Sequence, residues 1–160
     1  MRTFNLLALI AILMCACNRA TTPTEGKGFL TATFTLSDTT GQASTVFHSG
    51  QQFDVSFSVT NTTMETLTYY YTLPPVIFQI LKGDTSVATS VDGYVFPQVV
   101  LRGYLAPGRA LQGAWKAPNT PAQNPKVVLA PGSYEAHVSF RNFEQVKVNQ
   151  VSPITFSIVQ

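Results

Sequence analysis

Apolar and polar residues alternate with period two along most of the chain, the pattern of strands that bury one face. Leu30, Ala32, Phe34 and Leu36 alternate with Thr31, Thr33 and Thr35. Phe53, Val55, Phe57 and Val59 alternate with Asp54, Ser56, Ser58 and Thr60, the most regular stretch of all. Tyr134, Ala136, Val138 and Phe140 alternate with Glu135, His137, Ser139 and Arg141, and Ile154, Phe156 and Ile158 close the chain in the same style. Shorter strands are predicted at Ser44–Phe47, Thr66–Leu73, Val76–Leu81, Thr85–Thr89, Leu111–Trp115 and Val127–Leu129. Tyr94–Leu101 is apolar but contains Pro97, which cannot donate to a ladder, so an edge or irregular strand is expected there.

Turn chemistry falls between these runs, at Ser37–Gly41, His48–Gly50, Asn61–Glu65, Lys82–Asp84, Ala106–Gly108 and Ala130–Gly132. Helical periodicity is nearly absent after Cys17. Short strands at this spacing predict an all-β fold, an immunoglobulin-like antiparallel β-sandwich of about eight strands, with a barrel as the alternative. Each sheet would keep one dry and one wet face. No repeat or second domain is evident, and residues 29–160 are expected to form the sandwich.

The start of the chain has a different pattern. Arg2 precedes an unbroken apolar run, Leu6–Met14. That run is shorter than the roughly 20 residues a helix needs to cross a bilayer, and it ends on small residues, as an export signal does. Met14-Cys15-Ala16-Cys17 resembles a bacterial lipobox. Cleavage between Ala16 and Cys17, with lipid on Cys17, would leave residues 1–16 as the signal peptide. Cys15 would place Met14 at the cleavage position, where a small residue is usual. An ordinary secretory signal, cut near Ala16 or Ala20, is the alternative. Residues 17–28 would then be the lipidated cysteine and a flexible tether rich in Thr, Pro and Gly. The expected location is a cell membrane or outer membrane, with the domain on the extracytoplasmic side.

Composition narrows the chemistry. Charged residues make up 11% of the chain, against a usual quarter, and the net charge is +2. Lys and Arg are scattered singly, so no nucleic-acid surface is expected. Both cysteines, Cys15 and Cys17, belong to the leader. The domain is thus expected to have no disulfide, thiolate site or cysteine nucleophile. The two histidines are His48 and His137. His137 and Glu135 share a strand face at i, i+2 spacing, but a solvated face is a commoner use of such a pair than a metal site. There is no phosphate-binding glycine loop and no paired acidic motif of glycosidase type. A non-enzyme without a cofactor is expected. Asn61-Thr62-Thr63 matches a glycosylation acceptor, though in an exported bacterial protein a turn is the commoner use of that pattern. Tyr69, Tyr70 and Tyr71 cannot form one aromatic platform, because successive strand residues point to opposite faces.

From Phe53 to Phe140 the order of motifs resembles the BsuPI-type intracellular proteinase inhibitor family. The pieces are Val55-Ser-Phe57-Ser-Val59-Thr-Asn61-Thr, the Leu67–Thr72 strand, Val76-Ile-Phe78, and the turn Asp92-Gly93. They continue with Val95-Phe96, Leu105-Ala-Pro107-Gly108, the Trp115 strand and Leu129-Ala-Pro131-Gly132-Ser-Tyr134. Pro74-Pro75 departs from the polar turn expected of the family. The resemblance implies a sandwich that binds and inhibits a proteinase. If so, the contact residues should be exposed and rigid. Proline-rich Lys116–Lys126, with Pro118, Asn119, Thr120 and Pro121, is the first candidate loop, and Leu73-Pro74-Pro75-Val76 is the second. The competing expectation is a structural or assembly lipoprotein of the cell envelope with no inhibitory activity.

Overall fold

A computed structural model of the chain describes residues 24–25, 30–140, 143 and 151–160. The leader, Cys17 and most of the expected tether lie outside the described residues. The described residues form strands and loops, with no helix.

The strands are β1 (Thr24–Glu25), β2 (Leu30–Ser37), β3 (Val46–His48), β4 (Phe53–Asn61), β5 (Leu67–Tyr71) and β6 (Val76–Lys82). They continue with β7 (Thr85–Thr89), β8 (Leu101–Leu105), β9 (Ala110–Ala117), β10 (Gly132–Phe140) and β11 (Ile154–Val159). One sheet has the order β1-β2-β4-β9, and a second has the order β3-β11-β10-β6-β7. A two-stranded sheet pairs β5 with β8. Pairing is antiparallel throughout, except that β3 runs parallel to β11.

The alternation read from the sequence sets the register. Phe34 stands opposite Phe57, and Leu36 opposite Val55, across the β2–β4 ladder. Every odd-numbered residue of β4 from Phe53 to Asn61 is buried. The two larger sheets meet through these inward faces. Phe34 of β2 reaches Phe78 of β6, with ring centroids 6.3 Å apart. Phe57 of β4 reaches Phe140 of β10 at 4.6 Å. Phe53 stacks on Phe47 at 4.3 Å and tilts against Phe156 at 5.2 Å. Such pairs contribute about 0.5–1.5 kcal/mol each beyond their area burial.

Several predicted elements differ from what forms. β8 runs from Leu101 to Leu105, past the Tyr94–Leu101 span that the sequence predicts, and through Gly103. That glycine is needed: an added Cβ would lie 2.5 Å from the Tyr69 ring, which covers it from the paired strand. Val127–Leu129 forms no strand, and Tyr94–Val100 forms none either. Thr24–Glu25, expected within the tether, pairs with β2 at Ala32 and Thr31, whose outer edge otherwise offers a free ladder. The parallel β3–β11 pair departs from the antiparallel expectation.

Asn61 joins the elements. It has no exposed surface. Its Nδ2 donates to Glu65 O at 2.7 Å and Leu105 O at 2.8 Å. Its Oδ1 accepts from Thr63 N at 2.9 Å and from the Thr63 hydroxyl at 2.7 Å. Those four bonds use all the capacity of an amide side chain. Its backbone N donates to Arg109 O, and Gly108 N donates to its carbonyl. Asn61 therefore ties the end of β4 to the turn before β5, to β8 and to the turn before β9. Asn61→Ala leaves buried donors and acceptors without partners, so it should cost about 3 kcal/mol. Urea unfolding would measure this, with a fall in midpoint and no change in slope.

Candidate functional site

The proline-rich segment after β9 is held at several points. Asn119 behaves like a residue in a paired strand. Its Nδ2 donates to Val127 O at 2.8 Å and its Oδ1 accepts from Val127 N at 2.6 Å. A side chain thus occupies the backbone groups that a neighbouring strand would have used, which explains why Val127–Leu129 joins no sheet. Thr120 N donates to Gln123 Oε1, and Gln123 N donates back to the Thr120 hydroxyl. Lys126 Nζ donates to Thr120 O. The loop therefore closes on itself before it touches anything else.

It is then fixed to a second loop. The Thr120 hydroxyl donates to Asp92 O at 2.6 Å. Asp92 in turn caps the end of β7, accepting from Thr89 N and the Thr89 hydroxyl at 2.7 Å each. Gly93 completes the junction. With a φ of 78° it adopts a conformation that suits glycine, and a Cβ there would meet Ala122 O at 2.5 Å. The two loops approach backbone to backbone. Beyond the contact, Pro121 and Ala122 are exposed on one side, with Tyr94 and the 98% exposed Val95 on the other.

The structure sorts the expected contact residues. Pro121 is exposed, Asn119 is half-buried, and Pro118 and Thr120 are buried. Pro118 and Thr120 frame the loop and leave its tip to others. In the second candidate loop Leu73 is exposed, Pro74 and Pro75 are half-buried, and Val76 belongs to the core at the start of β6. The bonds Leu73–Pro74, Ala117–Pro118 and Asn124–Pro125 are cis. Cys17 and Ala16 lie outside the described residues. Sequence reasoning missed Asp92–Val95 as the docking partner. The available signal was Thr89 and Asp92, three residues apart, followed by glycine, which is the composition of a side-chain-capped turn.

A groove of about 470 Å³ runs beside the proline loop. His48 and Gly50–Gln52 form one wall, and Lys116, Pro118–Pro121 and Lys126–Leu129 form the other. His48 Nδ1 lies 2.9 Å from Gln160 O, and His48 N donates to Gln51 Oε1. His137 is engaged separately, with Nε2 3.0 Å from Glu135 Oε2 on an outer sheet face. Among the described residues no group of three His, Cys, Asp or Glu is placed to hold a metal ion. Asn61, the asparagine of the glycosylation-like motif, closes β4, is buried, and donates twice from its side-chain nitrogen.

The tyrosines divide as alternation requires. Tyr69 and Tyr71 share a face, 5.5 Å apart, and Tyr69 also meets Phe143 at 5.2 Å. Tyr70 points the other way, where Arg102 lies over it and over Tyr104. Burial raises the Tyr69 phenol above its ordinary value, and the nearby Tyr71 adds to the rise.

No family model matches the sequence, and no curated protein matches it. A solved structure similar in part is a β-glucosidase from Erythrobacter marinus, at 13% identity and a TM-score of 0.39. The match covers 87% of this chain and 16% of the glucosidase, a likeness too low to carry fold or function.

Two outcomes are expected. Asn119→Ala frees both backbone groups of Val127, so hydrogen exchange at the Val127 amide should rise at least tenfold while β4 amides stay protected. For Tyr69, the raised pKa means a contribution to stability that is complete below the unfolded value near 10 and is lost as pH climbs through the folded value. Tyr69→Phe should therefore flatten the alkaline fall in stability, as followed by unfolding at a series of pH values above about 10.

Proposed function

We propose that this chain is a lipid-anchored, non-catalytic β-sandwich that binds a protein partner at the cell envelope. The immunoglobulin-like form of the sandwich is supported by the strand order and by the parallel β3–β11 pair. It is supported also by Tyr134, whose hydroxyl donates to Ala130 O at 2.7 Å, a bond typical of the tyrosine corner in such folds. The lipid anchor is Cys17, reached through the short segment before β2, and the leader pattern supports it. The BsuPI-type resemblance adds a proteinase as the partner class.

One observation carries the contact reading. Pro121 and Ala122 stand beside Tyr94 and Val95 on two loops that are locked together through Thr120, Asp92 and Gly93. Exposed apolar residues on a fixed backbone lose little freedom on binding, so their burial goes into affinity. Tyrosine is among the residues whose truncation costs most at the centre of such a patch, and Val95 and the prolines around Tyr94 would keep water from it.

The test is capture from envelope extract with the domain from Asn18 to Gln160, followed by a panel of proteinases. One proteinase class should be bound and inhibited. Val95→Asp should weaken that binding at least tenfold, because it puts an unpaired charge in the contact, while Met64→Asp, an exposed change in the turn after β4, should not. Inhibition of no proteinase, together with co-purification of an envelope assembly, would assign the structural role instead. For the anchor, Cys17→Ser should release the protein from the membrane fraction and remove the mass of the acyl chains. A variant that stays membrane-bound at unchanged mass removes Cys17 as the anchor.

A further inference from the structure

We infer that the groove beside the proline loop receives an acidic, partly apolar peptide segment of the partner. The inference rests on the reading of the domain as a contact module, and it supplies the chemistry of what is contacted. The groove's volume, about 470 Å³, suits a compact ligand and has room for roughly three residues of chain.

Its lining is asymmetric in charge. Lys116 and Lys126 face it, and no Asp or Glu does. Lys126 donates only to the carbonyls of Thr120 and Pro121, which position its ammonium without neutralising it. Lys116 stands opposite Asp54 in the β4–β9 register, yet the two form no ion pair. Among the described residues, His137–Glu135 is the one side-chain acid–base contact within ion-pair distance. Two ammonium groups therefore remain available to a carboxylate at the rim.

The floor is different. Pro118, Leu129 and Ile158 line the groove and are buried. An occupant that satisfies both parts carries carboxylates at its edge and an aliphatic side chain between them. A bare inorganic anion would leave the floor uncovered, and a wholly apolar segment would leave both lysines unused.

The position fits the proposed contact surface. Pro121 contributes to the groove and to the exposed loop tip alike. A partner segment crossing that tip would run directly into the groove.

The inference is tested with two short acetylated and amidated peptides, one of alternating Glu and Leu and one of alternating Gln and Leu. Each is titrated into isotopically labelled protein and followed through backbone amide signals. The Glu peptide should shift the signals of Gln51, Gln52 and Asn119, and the Gln peptide should bind at least fivefold more weakly. Lys116→Gln should weaken the Glu peptide about threefold, and Asp54→Asn should strengthen it about twofold. Salt raised from about 50 to about 300 mM should reduce the difference between the two peptides. Equal binding of both peptides, binding of neither, or a shift in the same direction from both variants overturns the inference. None of these results touches capture of a partner through Val95, so the two readings fail separately.

Discussion

A single buried amide holds the upper part of this domain together. Asn61 ends the central strand β4 where the chain must leave one sheet, make a turn, and begin a second ladder between β5 and β8. Backbone polar groups at such a junction have lost their strand partners and are shut away from water. An unmet group there costs about 1–3 kcal/mol. Asn61 meets Glu65 O and Leu105 O with its amide hydrogens and two Thr63 donors with its oxygen. An aliphatic residue could fill the space but could meet none of these groups. The junction fixes where β5 and β8 stand, and with them the Tyr69 face and the chain that leads to β9.

The same device recurs at the site. Asn119 supplies the donor and acceptor that Val127 would otherwise seek from a strand, and Asp92 caps the end of β7. Short polar side chains thus replace ladder hydrogen bonds wherever the chain leaves a sheet. In a chain with 11% charged residues, this work falls to amides, hydroxyls and the Asp92 carboxylate, and hardly at all to ion pairs. Hydrogen bonds between neutral groups, such as those of Asn61 and Asn119, are insensitive to salt, unlike exposed ion pairs. The loops should therefore keep their form across a wide range of ionic conditions.

The central strands were legible because alternation is a local property. In β2, β4, β10 and β11 a residue's type alone says which face it occupies. β8 was not legible, since Arg102 and Gly103 break its pattern and the reason for the glycine is a ring on another strand. Val127–Leu129 looked like a strand because three apolar residues in a row carry no sign of the asparagine that would claim its backbone. The proline loop could be marked as rigid from composition, yet only the fold shows that Thr120 is inside and Pro121 outside. Its docking on Asp92–Gly93 is non-local, and no spacing in the sequence encodes it. The groove was invisible for the same reason: His48 is far along the chain from the Lys116–Lys126 loop and meets it only when the sheets close.

The parallel pairing of β3 with β11 has a mechanical consequence. The chain enters β3 at Val46 and leaves β11 at Val159, at opposite ends of a shared ladder that matches Ser157 to Val46 and Val159 to His48. Tension that reaches β3 from its N-terminal side, against a pull on the C-terminal end of β11, slides these two strands past one another. All the hydrogen bonds between them then carry the force together, where an antiparallel hairpin pulled from its open end would lose them one at a time. A domain tethered on one side and gripped on the other would thus resist being drawn open along that axis.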